Sequence, residues 1–316
     1  MATAKHNAET QTPPAKKSYG LRQGKRVCEG YNDERKVVGR KQKEQARGKH
    51  FYAREFSRRN VSLPPSFRDT IACADSEEHL ALLPDNCIDL IFTSPPYNFG
   101  LEYDDAGGND AEAWQQYFAK LDRIWEQCIR VLKHGGRLVV NIQPLYSDYI
   151  PSHHFLSNSL TRRGLIWKGE ILWEKNNYNC KYTAWGSWKS PSNPYLKYSW
   201  EFVEVFCKGS LKLNGDGSGA DIAADDFKKW VYGKWSIAPE RNMRAYGHPA
   251  MFPEELARRV IQLFSFRGDV VLDPFAGVGT ACVVAKRLGR VYLGVDVSRT
   301  YCESAEKRIE KEAVLL

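Results

Sequence analysis

The sequence predicts an α/β protein built on a doubly wound, mostly parallel sheet, with an inserted segment in its second half. Three observations lead there. Short continuous apolar runs, IDLIFT (88–93), DVVLD (269–273) and VYLGVD (291–296), read as strands buried on both faces. Amphipathic helical stretches alternate with them at the spacing of strand–helix–strand units. One strand also runs through a glycine-bearing turn straight into a helix, as at the ligand-binding ends of parallel strands. The 316 residues suffice for one large domain with a sizeable core.

Residues 1–60 stand apart. They carry 16 Lys and Arg against 6 Asp and Glu, a net +10, which leaves −2 for the rest of a chain whose total is +8. This stretch reads as a basic flexible tail, with a helix over 33–56, and a basic arm suits a polyanionic partner or serves as a solubilising tail. The folded body then spans 61–316. TIACAD (70–75) is its first strand. SEEHLALLP follows as a short helix capped by Asp75 or Ser76, with acids in its first turn. After IDLIFT, Trp114, Tyr117, Phe118, Leu121, Ile124, Trp125, Cys128, Ile129 and Leu132 form one apolar helical face. Lys133 and His134 fall in its last turn, and Gly135-Gly136 ends it. RLVVNIQ (137–143), LIWKGEILWEK (165–175) and WEFVEVFCK (200–208) are the next strands. Residues 209–247 are Gly-rich and polar with scattered Trp, and read as inserted. Order returns with FPEELARRVIQLFS, a helix with Pro253 at its start, and with GTACVVAKRL, a helix ended by Gly289.

Eight cysteines occur without a CxxC pair, so a zinc ribbon is not expected and no metal ligands are assigned. Several sit in apolar runs as small core residues of a reducing compartment. No run approaches the ~18 apolar residues of a membrane span, and the N-terminus lacks a secretory apolar stretch. A cytoplasmic protein associated with the nucleoid, or a nuclear one in a eukaryote, is expected.

Two strand ends carry the chemistry. In DVVLDPFAGVGT, Gly277 and Gly279 let the backbone turn and a ligand approach. Asp296 ends the next strand about 20 residues on, where a carboxylate can accept from both hydroxyls of a ribose. The third glycine of the dinucleotide fingerprint and the GK[ST] of a phosphate loop are missing. That moves weight from NAD and ATP to S-adenosylmethionine. At the other strand end, TSPPYN places a hydroxyl, two rigid residues, an aromatic and an amide. An amino group conjugated to a base ring needs acceptors that let its nitrogen turn towards an electrophilic methyl, which is a matter of positioning and electrostatics. Ser94 offers a hydroxyl and Pro95 a carbonyl. Pro96 fixes the turn, and Tyr97 can stack on a base flipped from the duplex.

Together TSPPY and DPFAGVGT resemble the motifs of the N4-cytosine and N6-adenine DNA amino-methyltransferases, over about residues 65–310. The order, catalytic motif first and cofactor loop last, resembles their permuted β group. The resemblance implies a Rossmann-like methyltransferase fold. It makes Ser94, Pro95, Pro96 and Tyr97 the catalytic motif, and Asp273, Phe275, Gly277, Gly279 and Thr280 the methionine-binding loop. Asp296 becomes the ribose acid, Asp75 the residue approaching the cofactor adenine, and Phe252 and Pro253 neighbours of the methionine end. Residues 209–247 fall where the family keeps its target-recognition segment. Val278 departs from the Ser common in that loop. Ser at the motif's first position leans towards cytosine N4, since adenine enzymes usually carry Asp there. Adenine N6 stays the alternative, as does a non-catalytic nucleic-acid-binding protein of the same fold. The implied partner is double-stranded DNA, and a companion restriction nuclease and the oligomeric state stay open. Basic and aromatic interleaving makes Lys189, Lys228, Lys229, Lys234, Arg241 and Arg244 the candidate DNA contacts. Each neighbouring tryptophan could equally be core.

Overall fold

A computed structural model describes residues 19–22, 25–28, 54–98, 113–144, 149–176, 185–213, 215, 217–241, 246–248 and 250–313. The chain divides into two units, Met1–His50 and Phe51–Leu316. In the first, β1 (Tyr19–Arg22) and β2 (Lys25–Cys28) pair antiparallel, Tyr19 opposite Cys28. This strand pair was not expected within a tail. YGLR and KRVC are too short and too basic to show alternation. The body also begins earlier than residue 61. Phe56 packs on the core, Asn86 Nδ2 donates to the Arg59 carbonyl at 3.1 Å, and Asn60 Oδ1 accepts from the His134 amide at 2.9 Å. The helix expected over 33–56 lies outside the described residues except for 54–56, which are not helical.

Among the described residues of the second unit, eight strands form one sheet in the order β3-β10-β9-β4-β5-β7-β6-β8. They are β3 (Thr70–Cys73), β4 (Ile88–Thr93), β5 (Leu132–Ile142), β6 (Ile166–Glu174), β7 (Trp200–Cys207), β8 (Lys234–Ser236), β9 (Val270–Asp273) and β10 (Val291–Asp296). The helices are α1 (Ser76–Ala81), α2 (Trp114–Val131), α3 (Ser152–Arg162), α4 (Ala224–Trp230), α5 (Glu254–Phe264), α6 (Thr280–Arg287) and α7 (Arg299–Ala313). The first five strands in the order are mutually parallel, β7 is antiparallel to both β5 and β6, and β8 is parallel to β6. The mostly parallel sheet of the sequence reading is therefore present, with one antiparallel strand that periodicity does not reveal.

Alternation along the strands sorts the core into two faces. Leu138, Val140 and Leu272 pack with Leu121, Ile124, Trp125 and Cys128 of α2. Val139, Val203 and Val271 pack with Leu256, Val260 and Ile261 of α5 and with α6. Each such aliphatic side chain contributes about 1.5–3 kcal/mol by leaving water. The end of α2 differs from expectation. The helix stops at Val131, and β5 starts at once and runs through Gly135-Gly136. Cross-strand pairing decides this: Cys87 N donates to Val131 O at 2.8 Å, Leu132 aligns with Ile88, and Gly135 N donates to Lys208 O at 2.8 Å. A helix-ending signal in the sequence yields to the ladder.

The segment 209–247 is not simply inserted. Its strand β8 extends the sheet beside β6. Trp230 and Trp235 are core, Trp235 being 1 % exposed. The Arg258 guanidinium lies 4.5 Å from the Trp230 ring centre, and Arg290 forms an ion pair with Asp221.

Candidate active site

The strand order reverses between β4 and β9, and their C-terminal ends open a crevice of the kind that binds ligands in such sheets. Thr93 ends β4 and Asp273 ends β9. The Thr93 hydroxyl donates to Asp273 Oδ1 at 2.6 Å and ties the two ends together. TSPPYN and PFAGVGT leave from this point, so motifs 180 residues apart meet. One cavity of about 460 Å³ lies above them. Ser94, Pro95, Pro96 and Tyr97 line it, as do Asp75, Phe252, Phe275, Gly277, Thr280 and Asp296. Pro253, Asp273 and Gly279 do not. They shape the backbone that does: Pro253 and Gly279 precede α5 and α6 as their caps, and Asp273 Oδ1 also accepts from Phe275 N at 3.1 Å.

The glycine loop is held from several sides. Gly277 has φ +50°, and a Cβ there would come within 2.8 Å of His248 Nε2. Gly279 has φ +76°, and a Cβ there would meet Ala305 at 2.7 Å. Both positions require glycine. Asp296 Oδ2 accepts from Gly277 N at 2.8 Å and Oδ1 from Ser298 N at 2.9 Å, which fixes the carboxylate plane at the cavity wall. Arg308 donates to the Val278 carbonyl at 2.7 Å and pairs with Glu254 at 2.9 Å. Asp75 caps α1, accepting from Glu77 N at 2.8 Å, while the Ser76 hydroxyl donates to the Pro274 carbonyl. Burial first, and the Asp296 charge second among the raising causes, push the Asp273 carboxyl up to about 7. Burial likewise lowers the His248 imidazole to about 4. His248 Nδ1 accepts from Ala250 N at 3.1 Å, and its ring lies 4.7 Å from that of Tyr301. It is neutral and packs over Gly277. A cavity with a side-chain-free cradle at Gly277 and carboxylates at Asp75 and Asp296 fits a cationic, adenosine-bearing cofactor.

The catalytic motif faces a polar network. Ser94 Oγ and Tyr97 Oη lie 3.0 Å apart. Tyr97 is 6 % exposed, and its hydroxyl donates to Glu201 Oε2 at 3.2 Å. Asn141 Nδ2 donates to the same Oε2 at 2.5 Å and to Tyr97 Oη at 3.3 Å. Lys175 completes the set as an ion pair with Glu201 Oε1. The Tyr117 hydroxyl donates to the Pro96 carbonyl at 2.5 Å and locks the double-proline turn. Asn141, Lys175 and Glu201 line the cavity, and sequence reasoning missed all three. A signal was present: Asn141 in LVVNI and Glu201 in WEFVEVF interrupt apolar strand runs, and a buried polar group needs a reason.

The proposed DNA contacts scatter. Lys189 lies in an exposed stretch with Trp185, Trp188 and Lys197, whose ammonium sits 3.6 Å from the Trp185 ring centre. Lys228 pairs with Asp225 at 2.8 Å, and Lys234 with Glu174 at 3.1 Å. Lys229 and Arg241 are exposed. Arg244 lies outside the described residues. The rings that alternate with charge in KKWVYGKW do not form a stacking face: Trp230 and Trp235 are buried, and Tyr232 is exposed.

Comparison with known proteins follows the same lines. The family described as DNA methylase, whose name spans N6 and N4 enzymes, matches residues 88–307. The Type II methyltransferase M.BglII of Bacillus subtilis is 27 % identical over 264 residues, covering 79 % of this chain and 71 % of that protein. M.HpaI of Haemophilus parainfluenzae, also a Type II methyltransferase, is 29 % identical over 244 residues, covering 77 % and 74 %. TTHA0409 of Thermus thermophilus, described as a DNA modification methylase and solved with S-adenosyl-L-methionine, superposes with a TM-score of 0.62 at 28 % identity, covering 77 % and 93 %. The cytosine-N4-specific PvuII DNA methyltransferase shares the fold, with a TM-score of 0.56 at 19 % identity, covering 78 % and 90 %.

Proposed function

This chain belongs to the N6/N4 DNA methylase family and is an S-adenosylmethionine-dependent DNA amino-methyltransferase, and we propose that it methylates the exocyclic N4 of cytosine at specific sites in duplex DNA. The observation that carries the base is Ser94, a hydroxyl acceptor where adenine enzymes of the resemblance usually carry a carboxylate. The cofactor supplies an electrophilic methyl group. The chain supplies position: Asp75, Phe252, Phe275, Gly277, Thr280 and Asp296 hold the cofactor side of the cavity, with Asp273, Gly279 and Pro253 shaping its backbone. On the other side, the target base turns out of the stack into the cavity beside Tyr97. Ser94 Oγ and the Pro95 carbonyl accept from its amino group, and Pro96, locked by Tyr117, keeps both aimed.

Topology supports one end of the sheet as the DNA-facing surface. β6 is parallel to β5, because each is antiparallel to β7. The C-terminal end of β6 and the N-terminal end of β7 therefore lie at the sheet edge that carries TSPPYN. The connection between them contains Trp185, Trp188, Lys189 and Lys197, with Trp188 64 % exposed. Exposed rings and cations at that edge suit unstacked bases and phosphates. Target recognition is assigned to this stretch together with Pro239 and His248, which line the cavity.

Mass spectrometry of nucleosides from DNA treated with protein and S-adenosylmethionine tests the base. N4-methylcytosine is expected. N6-methyladenine in its place overturns the reading of Ser94 and leaves the family intact.

A further inference from the structure

Glu201 enters the site on β7, which runs against both of its neighbours in the main sheet. Trp173 is its partner across the ladder. Its side chain is 5 % exposed, yet it meets three donors: Lys175 Nζ on Oε1, and Tyr97 Oη and Asn141 Nδ2 on Oε2. An ionised carboxylate only accepts hydrogen bonds. The single Tyr97 hydroxyl hydrogen therefore points at Glu201. Tyr97 Oη must then accept from its other neighbours, Asn141 Nδ2 and Ser94 Oγ. Ser94 has one hydroxyl hydrogen, and it is spent on Tyr97. What Ser94 presents to the cavity is lone pairs.

We propose that Glu201 is a positioning residue that, through Tyr97, fixes the Ser94 hydroxyl as an acceptor for the amino group of the target base. A second observation supports the direction of the chain. Asn141 Oδ1 is buried and has no hydrogen-bond partner. Turning the amide over would satisfy neither atom better, because it would set Oδ1 within 2.5 Å of the Glu201 carboxylate. The orphaned oxygen is the cost of keeping the donor on Glu201. The inference rests on the reading of Ser94 given above and deepens it.

Glu201→Gln releases the chain. Lys175 demands an oxygen at the Oε1 position, so the new amide nitrogen faces both Tyr97 Oη and Asn141 Nδ2, and Tyr97 loses its acceptor on Glu201. The Tyr97 hydrogen is no longer held away from Ser94, and the Ser94 hydrogen is released to turn into the cavity against the amine. The test is a double-mutant cycle on the full chain. Tritiated S-adenosylmethionine and plasmid DNA from a methylation-free host give kcat, and calorimetry gives the cofactor Kd. Glu201→Gln is expected to lower kcat by about tenfold or more, with the Kd changed less than about twofold; in a Ser94→Ala background it should lower kcat by less than about twofold. Equal losses in both backgrounds overturn the proposal, since a merely structural Glu201 would act with or without Ser94. Should Glu201→Gln fail to fold, Tyr97→Phe cuts the same link while leaving Glu201 its other two donors, and the same cycle applies. A wild-type protein that transfers methyl groups while Ser94→Ala is harmless overturns the earlier reading of Ser94, and this proposal with it. A wild-type protein that transfers none overturns the catalytic reading itself.

Discussion

Ser94, Gly277 and Asp273 show three ways in which single residues act here. If Ser94 serves the amine as proposed, Ser94→Ala should lower turnover by about 100-fold or more, with cofactor affinity nearly unchanged. Parallel losses of kcat and affinity would assign Ser94 a structural role. Gly277→Ala should do the reverse, weakening cofactor binding first. The new methyl would strike His248 Nε2, and the left-handed backbone adds about 1–2 kcal/mol of strain. Adding His248→Ala should recover only the steric part of that loss, measured as cofactor Kd. Asp273 is a matter of pH. Its folded-state carboxyl titrates near 7, above an ordinary value of 3.8. Between those values the folded chain binds a proton that the unfolded chain does not, so this residue makes stability fall as pH rises through the window. Asp273→Asn keeps an acceptor for Thr93 and Phe275. Its melting temperature should decline less than that of the wild type between pH 4 and 7, as followed by circular dichroism. An identical decline would show that Asp273 does not titrate there.

At the scale of elements, two aromatic-rich stretches that look alike in sequence part company. KKWVYGKW spans α4 and β8, and its tryptophans fill the core beneath α5. The exposed connection between β6 and β7 keeps its tryptophans in solvent. Trp235→Ala should therefore cost about 3–5 kcal/mol of stability, read by denaturant unfolding. Trp188→Ala should leave stability within about 0.5 kcal/mol while weakening DNA binding, as in loss of a base-stacking ring. The opposite pattern would exchange the two assignments. Most elements were legible because their signals are local. IDLIFT and VYLGVD match β4 and β10 residue for residue. Asp75 caps α1 as its side chain suggests. The junction at Leu132 was not legible. Helix periodicity and a Gly-Gly stop argued for one boundary, and pairing with Ile88 on β4 placed another.

The whole molecule joins a near-neutral body to a strongly basic N-terminal unit. That distribution suits a catalytic cleft served by non-specific phosphate attraction. Removing residues 1–50 should reduce the slope of log affinity against log salt, each lost phosphate contact removing about 0.9 from it. An unchanged slope, by fluorescence anisotropy on duplex DNA, would leave those charges without a role in binding.

What the sequence by itself determined is the parallel core, the pair of strand-end motifs and the cofactor class. Apolar periodicity, turn chemistry and the strand–glycine–helix spacing are short-range properties, and they survive in any context that buries the strands. What only the tertiary structure decided is who meets whom across the sheet. The antiparallel β7 brought Glu201, and its neighbour β5 brought Asn141, beside Tyr97. Burial made Trp230 and Trp235 core, and the contacts of Phe56 and Asn60 moved the edge of the body. Those outcomes are set by pairings between residues distant along the chain. Their energies come from packing and hydrogen bonds that no local stretch contains.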